Sequence, residues 1–226
     1  MKTDGSYKVY EIEFLKKGAP VLSKLTARGY GVELVGDYSR IEEMTSKVGR
    51  LATTPMMDVD RLDFEIGEAF WMFLTKENHP VASVSAKLID LKSETLGTYT
   101  RRTTRGQYGR REDPLEYLDP MFDLIRGQVV YTGQIQTAEK KVGQANVGMS
   151  ELVSFLRVTQ LVILNRWMFD WMFGFVDEKH LALNRLYGFS CFARQAMLWQ
   201  SPAPEGRSDS HALLASSRRQ VELLFG

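Results

Sequence analysis

The strongest case for chemistry lies at residues 129–148, VVYTGQIQTAEKKVGQANVG. Val129, Val130, Tyr131 and Ile135 suit a strand, while Gly143, Ala145 and Gly148 let a backbone or a ligand approach closely. From Gln144 to about Arg166 apolar residues recur at helical spacing, with Leu152, Phe155, Leu156, Thr159, Val162 and Ile163 on one face. A strand that passes through a small-residue turn into a helix N-terminus makes an anion site, because unpaired N–H groups and the positive end of the helix dipole converge there. Lys140 and Lys141 either add charge to that site or are surface charges beside a turn.

Other reactive residue types are less well placed. His79, His180 and His211 are scattered, with no carboxylate or cysteine at ligand spacing, so no dedicated metal site is expected. Asp170, Asp177, Glu65 and His180 fall in segments that could border a cleft, but none has a distinctive spacing. Cys191 is the single cysteine and sits in an apolar run, which excludes an intrachain disulfide and points to an inert thiol. There is no P-loop and no nucleophile elbow. Arg101, Arg102, Arg105, Arg110 and Arg111, interleaved with Tyr99 and Tyr108, form a basic stretch within residues 92–128. It reads as a solvated, mobile insertion or as an arm that brings an acidic substrate, a phosphate or a nucleic-acid backbone to the site, with a short helix over 115–126.

The elements that must position these residues follow from patterning. The 226 residues and 44% hydrophobic content fit one elaborated domain over 1–200, with an inserted arm at about 92–128. A linker and C-terminal tail at 201–226 would pack back as a helix on the domain or on a second copy. With 29 basic and 28 acidic residues the net charge is +1, which argues against bulk binding of nucleic acid or anionic membrane. The N-terminus lacks a secretory h-region, and the most apolar run, 161–176, is broken by Asn165, Arg166 and Asp170, so a cytoplasmic protein is the default expectation.

Alternation over 7–15 suggests a strand, with a helix as the alternative. A break at Gly18 to Pro20 follows, then a short helix from Val21 ended by Gly29, and a strand at 31–37. Ser39 and Glu42 form a capping box for a helix over 39–52. Residues 67–91 read as a hairpin turning at Lys76 to Pro80. Beyond the long helix, 168–176 gives an aromatic strand with Phe169, Trp171, Phe173 and Phe175 on one side, 178–187 a short helix, and 191–199 a closing strand.

The run Lys140, Lys141, Val142, Gly143, Gln144, Ala145 resembles the pyrophosphate-binding signature of the GNAT superfamily of acyl-CoA-dependent N-acyltransferases, with lysine standing for the usual Arg or Gln. A second register, Gly143 to Gly148 with Asn146 at the first glycine position, fits as well. The preceding hairpin, the aromatic strand after the helix and LNRLYGFS at 183–190 extend the resemblance over roughly residues 30–200. It implies an α+β fold: a mixed, mostly antiparallel twisted sheet flanked by helices on both faces. It also implies acetyl-CoA as cosubstrate and direct attack of an unidentified amine on the thioester. Backbone groups from Gln134 through Ile135, Gln136 and Thr137 would stabilise the oxyanion, and amides from Val142 to Gly148 would hold the pyrophosphate. Tyr187 is the nearest candidate for the acid that protonates the departing thiolate, although the usual spacing would put that tyrosine where Asn184 stands. The alternatives are a GNAT-like module that binds CoA or a protein without catalysis, and an RNA-associated protein using the arginine arm. An exposed aromatic strand and apolar tail are compatible with a homodimer.

Overall fold

The computed structural model describes residues 6–49, 54–58, 68–138, 147–184, 186–204, 207 and 209–226. Its elements, in chain order, are α1 (Ser6–Thr26), β1 (Tyr30–Val35), α2 (Tyr38–Lys47), β2 (Ala69–Lys76), β3 (His79–Thr95), α3 (Leu96–Gln107), β4 (Leu115–Leu118), α4 (Met121–Leu124) and β5 (Arg126–Thr137). They continue with α5 (Met149–Arg166), β6 (Trp171–Asp177), β7 (Cys191–Ala193), β8 (Met197–Trp199), β9 (His211–Ser217) and α6 (Arg218–Glu222). Seven strands form one sheet in the order β1-β2-β3-β5-β6-β9-β7, and β4 pairs with β8 in a separate ribbon. Every neighbour in the large sheet is antiparallel except β5 and β6.

Strand alternation divides the core in two. Phe70, Met72 and Leu74 of β2 face a layer with Leu152, Phe155, Leu156 and Ile163 of α5. Trp71 and Phe73 face the opposite layer, with Ile41 and Met44 of α2, its C-cap Val48, and Leu96 and Tyr99 of α3. Helices therefore cover both faces of a mostly antiparallel sheet, the α+β arrangement anticipated from the sequence. Phe155 is wholly buried, and its loss would cost about 3–5 kcal/mol.

Several local expectations need correction. Residues 6–26 form a single helix with Pro20 inside it, the alternative to a strand over 7–15 and without the expected break at Gly18 to Pro20. Proline disfavours a helix interior without forbidding it, and buried Gly18 brings the helix against Leu161 of α5. The cap of α2 is Asp37, whose carboxylate accepts from the Ser39 amide, in place of a Ser39–Glu42 box. Within 92–128, the missed helix α3 packs Leu96 and Tyr99 into the core, and the helix expected over 115–126 is instead β4 and the four-residue α4.

The expected closing strand at 191–199 is split between β7 in the large sheet and β8 in the ribbon. Phe169 joins the α5-side core, so the aromatic row on the other face begins at Trp171. The tail expected to be helical instead supplies β9, which pairs with β6 from Trp171↔Ser217 to Asp177↔His211. Ala212, Leu213, Leu214 and Ala215 are buried on both faces there, so they lack the one-sided pattern of a surface helix.

Candidate active site

Among the described residues, the one parallel pair of strands in the large sheet is also a short one. β5 and β6 are in register at Val129↔Trp171, Val130↔Met172 and Tyr131↔Phe173, and no further. Past that point β5 runs on to Thr137 and β6 to Asp177, so the two strands fork. Gly174 stands at the crotch, where a Cβ would come 2.6 Å from the Thr132 carbonyl oxygen. On its other edge β5 bulges against β3, the register slipping between Ser83↔Gln136 and Ser85↔Gly133. Gln134 takes the extra position with φ +55°, a value that favours glycine, asparagine and other turn residues over an ordinary strand residue.

A cavity of about 320 Å³ opens at the fork. Its walls on the α5 side include Tyr187 and Phe189, and on the α3 side Thr104, Tyr108 and Trp199. Gln134 and Ile135 line it from β5, and Phe175, Val176 and Asp177 from β6. The Gln134 side chain is 5% exposed; its Oε1 accepts from the Trp71 indole at 2.9 Å, and its Nε2 has no partner. Four buried side-chain polar atoms lack partners among the described residues, and three of them, Thr54 Oγ1, Gln134 Nε2 and Trp199 Nε1, belong to residues of this cavity. An unmet buried donor costs about 1–3 kcal/mol, which an incoming acceptor would recover.

Tyr187 is half-buried in the wall, and desolvation pushes its phenol above the ordinary tyrosine value of 10.0. Its carbonyl accepts from Gln160 Nε2 at 2.7 Å, which ties the residue to α5. Gln136 and Thr137 continue β5 opposite Ser83 and Ala82 and do not line the cavity. Lys140, Lys141, Val142, Gly143, Gln144, Ala145 and Asn146 lie outside the described residues, as does Glu65. Gly148 is the N-cap of α5, without a capping side chain. Glu151 fills that role from inside the first turn. Its carboxylate accepts its own backbone N–H, which holds it below the usual glutamate range, helped by the ion pair with Arg28.

Of the residues considered as bases, Asp177 and His180 reach the cavity. The Asp177 carboxylate accepts from the Lys179 amide at 3.0 Å and pairs with its ammonium at 3.1 Å, both of which hold it low and make it a weak base. Asp170 is used structurally, accepting from the Gln128 amide at 2.8 Å. His211, at the start of β9, lines the cavity too. Sequence reading missed Thr54, Trp199 and Arg207 as cavity residues, and the signal was faint, because each comes from a segment far in sequence from the central strand. The described residues contain no cluster of three or more His, Cys, Asp or Glu that could hold a metal, and no helix long and apolar enough to cross a membrane.

No family model matches the sequence, and no curated protein does. Among solved structures, the chain is similar to FeeM, an N-acyl amino acid synthase from uncultured soil microbes, at 10% identity and a TM-score of 0.48, covering 86% of this chain and 93% of that one. It is also similar to an agmatine N-acetyltransferase, at 13% identity and a TM-score of 0.46, covering 83% and 99%. A third is an acetyltransferase from Streptococcus agalactiae 2603, at 11% and 0.41, covering 84% and 98%. The chain's own topology is a mixed, mostly antiparallel α+β sheet in which a hairpin precedes the forked parallel pair and a long helix joins that pair's two strands.

Proposed function

We propose that the chain is an acyl-CoA-dependent N-acyltransferase that moves an acetyl group from acetyl-CoA to an amine. The observation that carries this is the fork between β5 and β6, where Gln134, whose buried side-chain amide has no partner, is one of the residues lining a cavity. A pantetheine arm would lie between the parted strands, as an added strand lies against a sheet edge. The amine nitrogen attacks the thioester carbon, the carbonyl becomes an oxyanion, and its collapse breaks the C–S bond to release CoA. Gln134 Nε2 and the amides of the bulge at Gln134 and Ile135 are the donors nearest that oxygen in this scheme, with Gln136 and Thr137 continuing the strand. Tyr187 gives its proton to the departing thiolate. The proton shed by nitrogen leaves through solvent or through an imidazole of the cavity wall, which His180 and His211 supply.

The diphosphate would rest on the turn before α5, held by amides from Val142 to Gly148 with Lys140 and Lys141 as counter-charges. Glu151 opposes it there, since its carboxylate occupies the first turn of the same helix. Calorimetric titration with acetyl-CoA tests both points. Saturable binding at sub-millimolar ligand is expected, and Glu151→Gln should bind about fivefold tighter, on the order of 1 kcal/mol for one charge at a helix terminus. Absence of binding at millimolar ligand would sink the assignment. The Asn184 that stands at the family's usual tyrosine position favours one alternative, a GNAT-like module that binds acyl-CoA without turnover. Binding with no CoA release across an amine panel would select it.

A further inference from the structure

The α3 side of the cavity has its own chemistry, separate from the thioester site. Trp199 is 7% exposed, lines the cavity, and its indole Nε1 has no acceptor. Its ring meets Tyr108 edge-on, with centroids 5.4 Å apart. Arg207 lies over the same Tyr108, its Cζ 5.8 Å from the ring centroid and its Nε donating to the phenol oxygen. That contact fixes one edge of the guanidinium and leaves the terminal nitrogens for another group. Arg207 has no acidic partner among the described residues, and the acid nearest to it in the described sequence, Asp209, turns its carboxylate to the Trp199 amide at 2.8 Å. Besides the two histidines, the charged residues lining the cavity among the described residues are Arg207 and Asp177, and the charge of Asp177 is already met by Lys179. Met56, Met197 and the two aromatic rings supply apolar walls around these donors.

We infer that the acceptor amine carries a carboxylate, held by Arg207 and the Trp199 indole, and an apolar or aromatic body: an α-amino acid of the phenylalanine type. A guanidinium and an indole that both pack on Tyr108 offer N–H donors to a carboxylate, whereas a polycationic amine would meet Arg207 with like charge. In the chemistry proposed above, the α-amine attacks the thioester carbon, the C–S bond breaks, the nitrogen loses one proton and the thiolate gains one, giving an N-acetyl amino acid and CoA. The substrate assignment rests on that reading, but binding of the carboxylate does not.

The test compares phenylalanine, phenylalaninamide and phenethylamine as acceptors with saturating acetyl-CoA, following free thiol. Binding of 3-phenylpropionate, which has the carboxylate and ring but no amine, is measured separately by calorimetry. Phenylalanine is expected to exceed both analogues in kcat/KM by about 100-fold, as a site built to pair a charged group rejects its absence. Arg207→Gln should raise KM for phenylalanine by about 100-fold, leaving the KM for acetyl-CoA and the rate with phenethylamine unchanged. Trp199→Phe, which keeps the ring, should raise it about tenfold. Equal use of acid, amide and amine, or a uniform loss with all three in Arg207→Gln, would overturn the inference. Should Arg207→Gln not fold, Trp199→Phe and 3-phenylpropionate binding to the wild-type protein still decide. If acetyl-CoA does not bind but 3-phenylpropionate does, the acyltransferase reading fails and the carboxylate site stands. If neither binds, both fail.

Discussion

At the scale of single residues, Tyr187 carries the sharpest expectation. Burial disfavours its phenolate, so it keeps its proton past the pH at which an exposed tyrosine would ionise, as an acid for a thiolate must. A rate that depends on the protonated phenol falls only as pH rises through that elevated value, so the alkaline limb of kcat should lie above pH 10. Tyr187→Phe should lower kcat by about 100-fold with little change in KM and remove that limb. A rate unchanged by the substitution would return Tyr187 to a packing role. Both Gln134 and Tyr187 were legible as residue types near a family motif. The bulge that gives Gln134 its φ of +55° and the burial that leaves its amide unpaired were not, because they depend on how β3 and β5 slip past each other. Trp199 and Arg207 were invisible for the same reason, brought to the cavity by the β4–β8 ribbon and the chain following it, with no local signal.

Elements set the second scale, and the fork is the element that matters. Gly174 allows β5 and β6 to approach at the crotch before parting. Gly174→Ala would drive a methyl group into the Thr132 carbonyl, against backbone that cannot swing away as a side chain would. A loss of about 1–3 kcal/mol in denaturant unfolding is expected, with a larger fall in acyl-CoA affinity than in stability. Stability that drops with unaltered affinity would mean the fork tolerates the shift.

Helix α3 makes the complementary point. Its sequence, rich in arginine and threonine, gave no apolar stripe long enough to read as a helix, yet Leu96 and Tyr99 anchor its first turn in the core and Thr95 caps it. Its charges are partly answered within the fold: Arg102 grips Glu94 through Nε and Nη2 at 2.9 and 2.6 Å, and Arg101 meets Asp113. That grip lowers the Glu94 carboxyl below its ordinary 4.5, so its stabilisation is complete above that value and fades as pH falls through the depressed one. Glu94→Gln should therefore cost a few tenths of a kcal/mol near neutrality and progressively less as the pH is lowered below 4.5, by thermal melts at neutral and acid pH. An equal cost at both would assign the effect to packing.

For the whole molecule, the apolar face of α5, the 67–91 hairpin and the aromatic strand were readable from periodicity. What failed were segments whose partners lie far along the chain. Strand β9 is the clearest case: its run of small and apolar residues is ambiguous between helix and strand, and only the vacant edge of β6 decides. That strand also gives the molecule a schedule. During synthesis, the aromatic strand that forms one prong of the fork waits about thirty residues for the neighbour that shields it, because β6 ends at Asp177 and β9 begins at His211. A ribosome-bound or truncated chain stopping before His211 exposes Trp171, Phe173 and Phe175 beside unpaired backbone, a template for strand addition between molecules. Such a fragment should sediment as aggregate to a greater extent than the chain that includes β9, making that strand both a wall of the cavity and a guard against self-association.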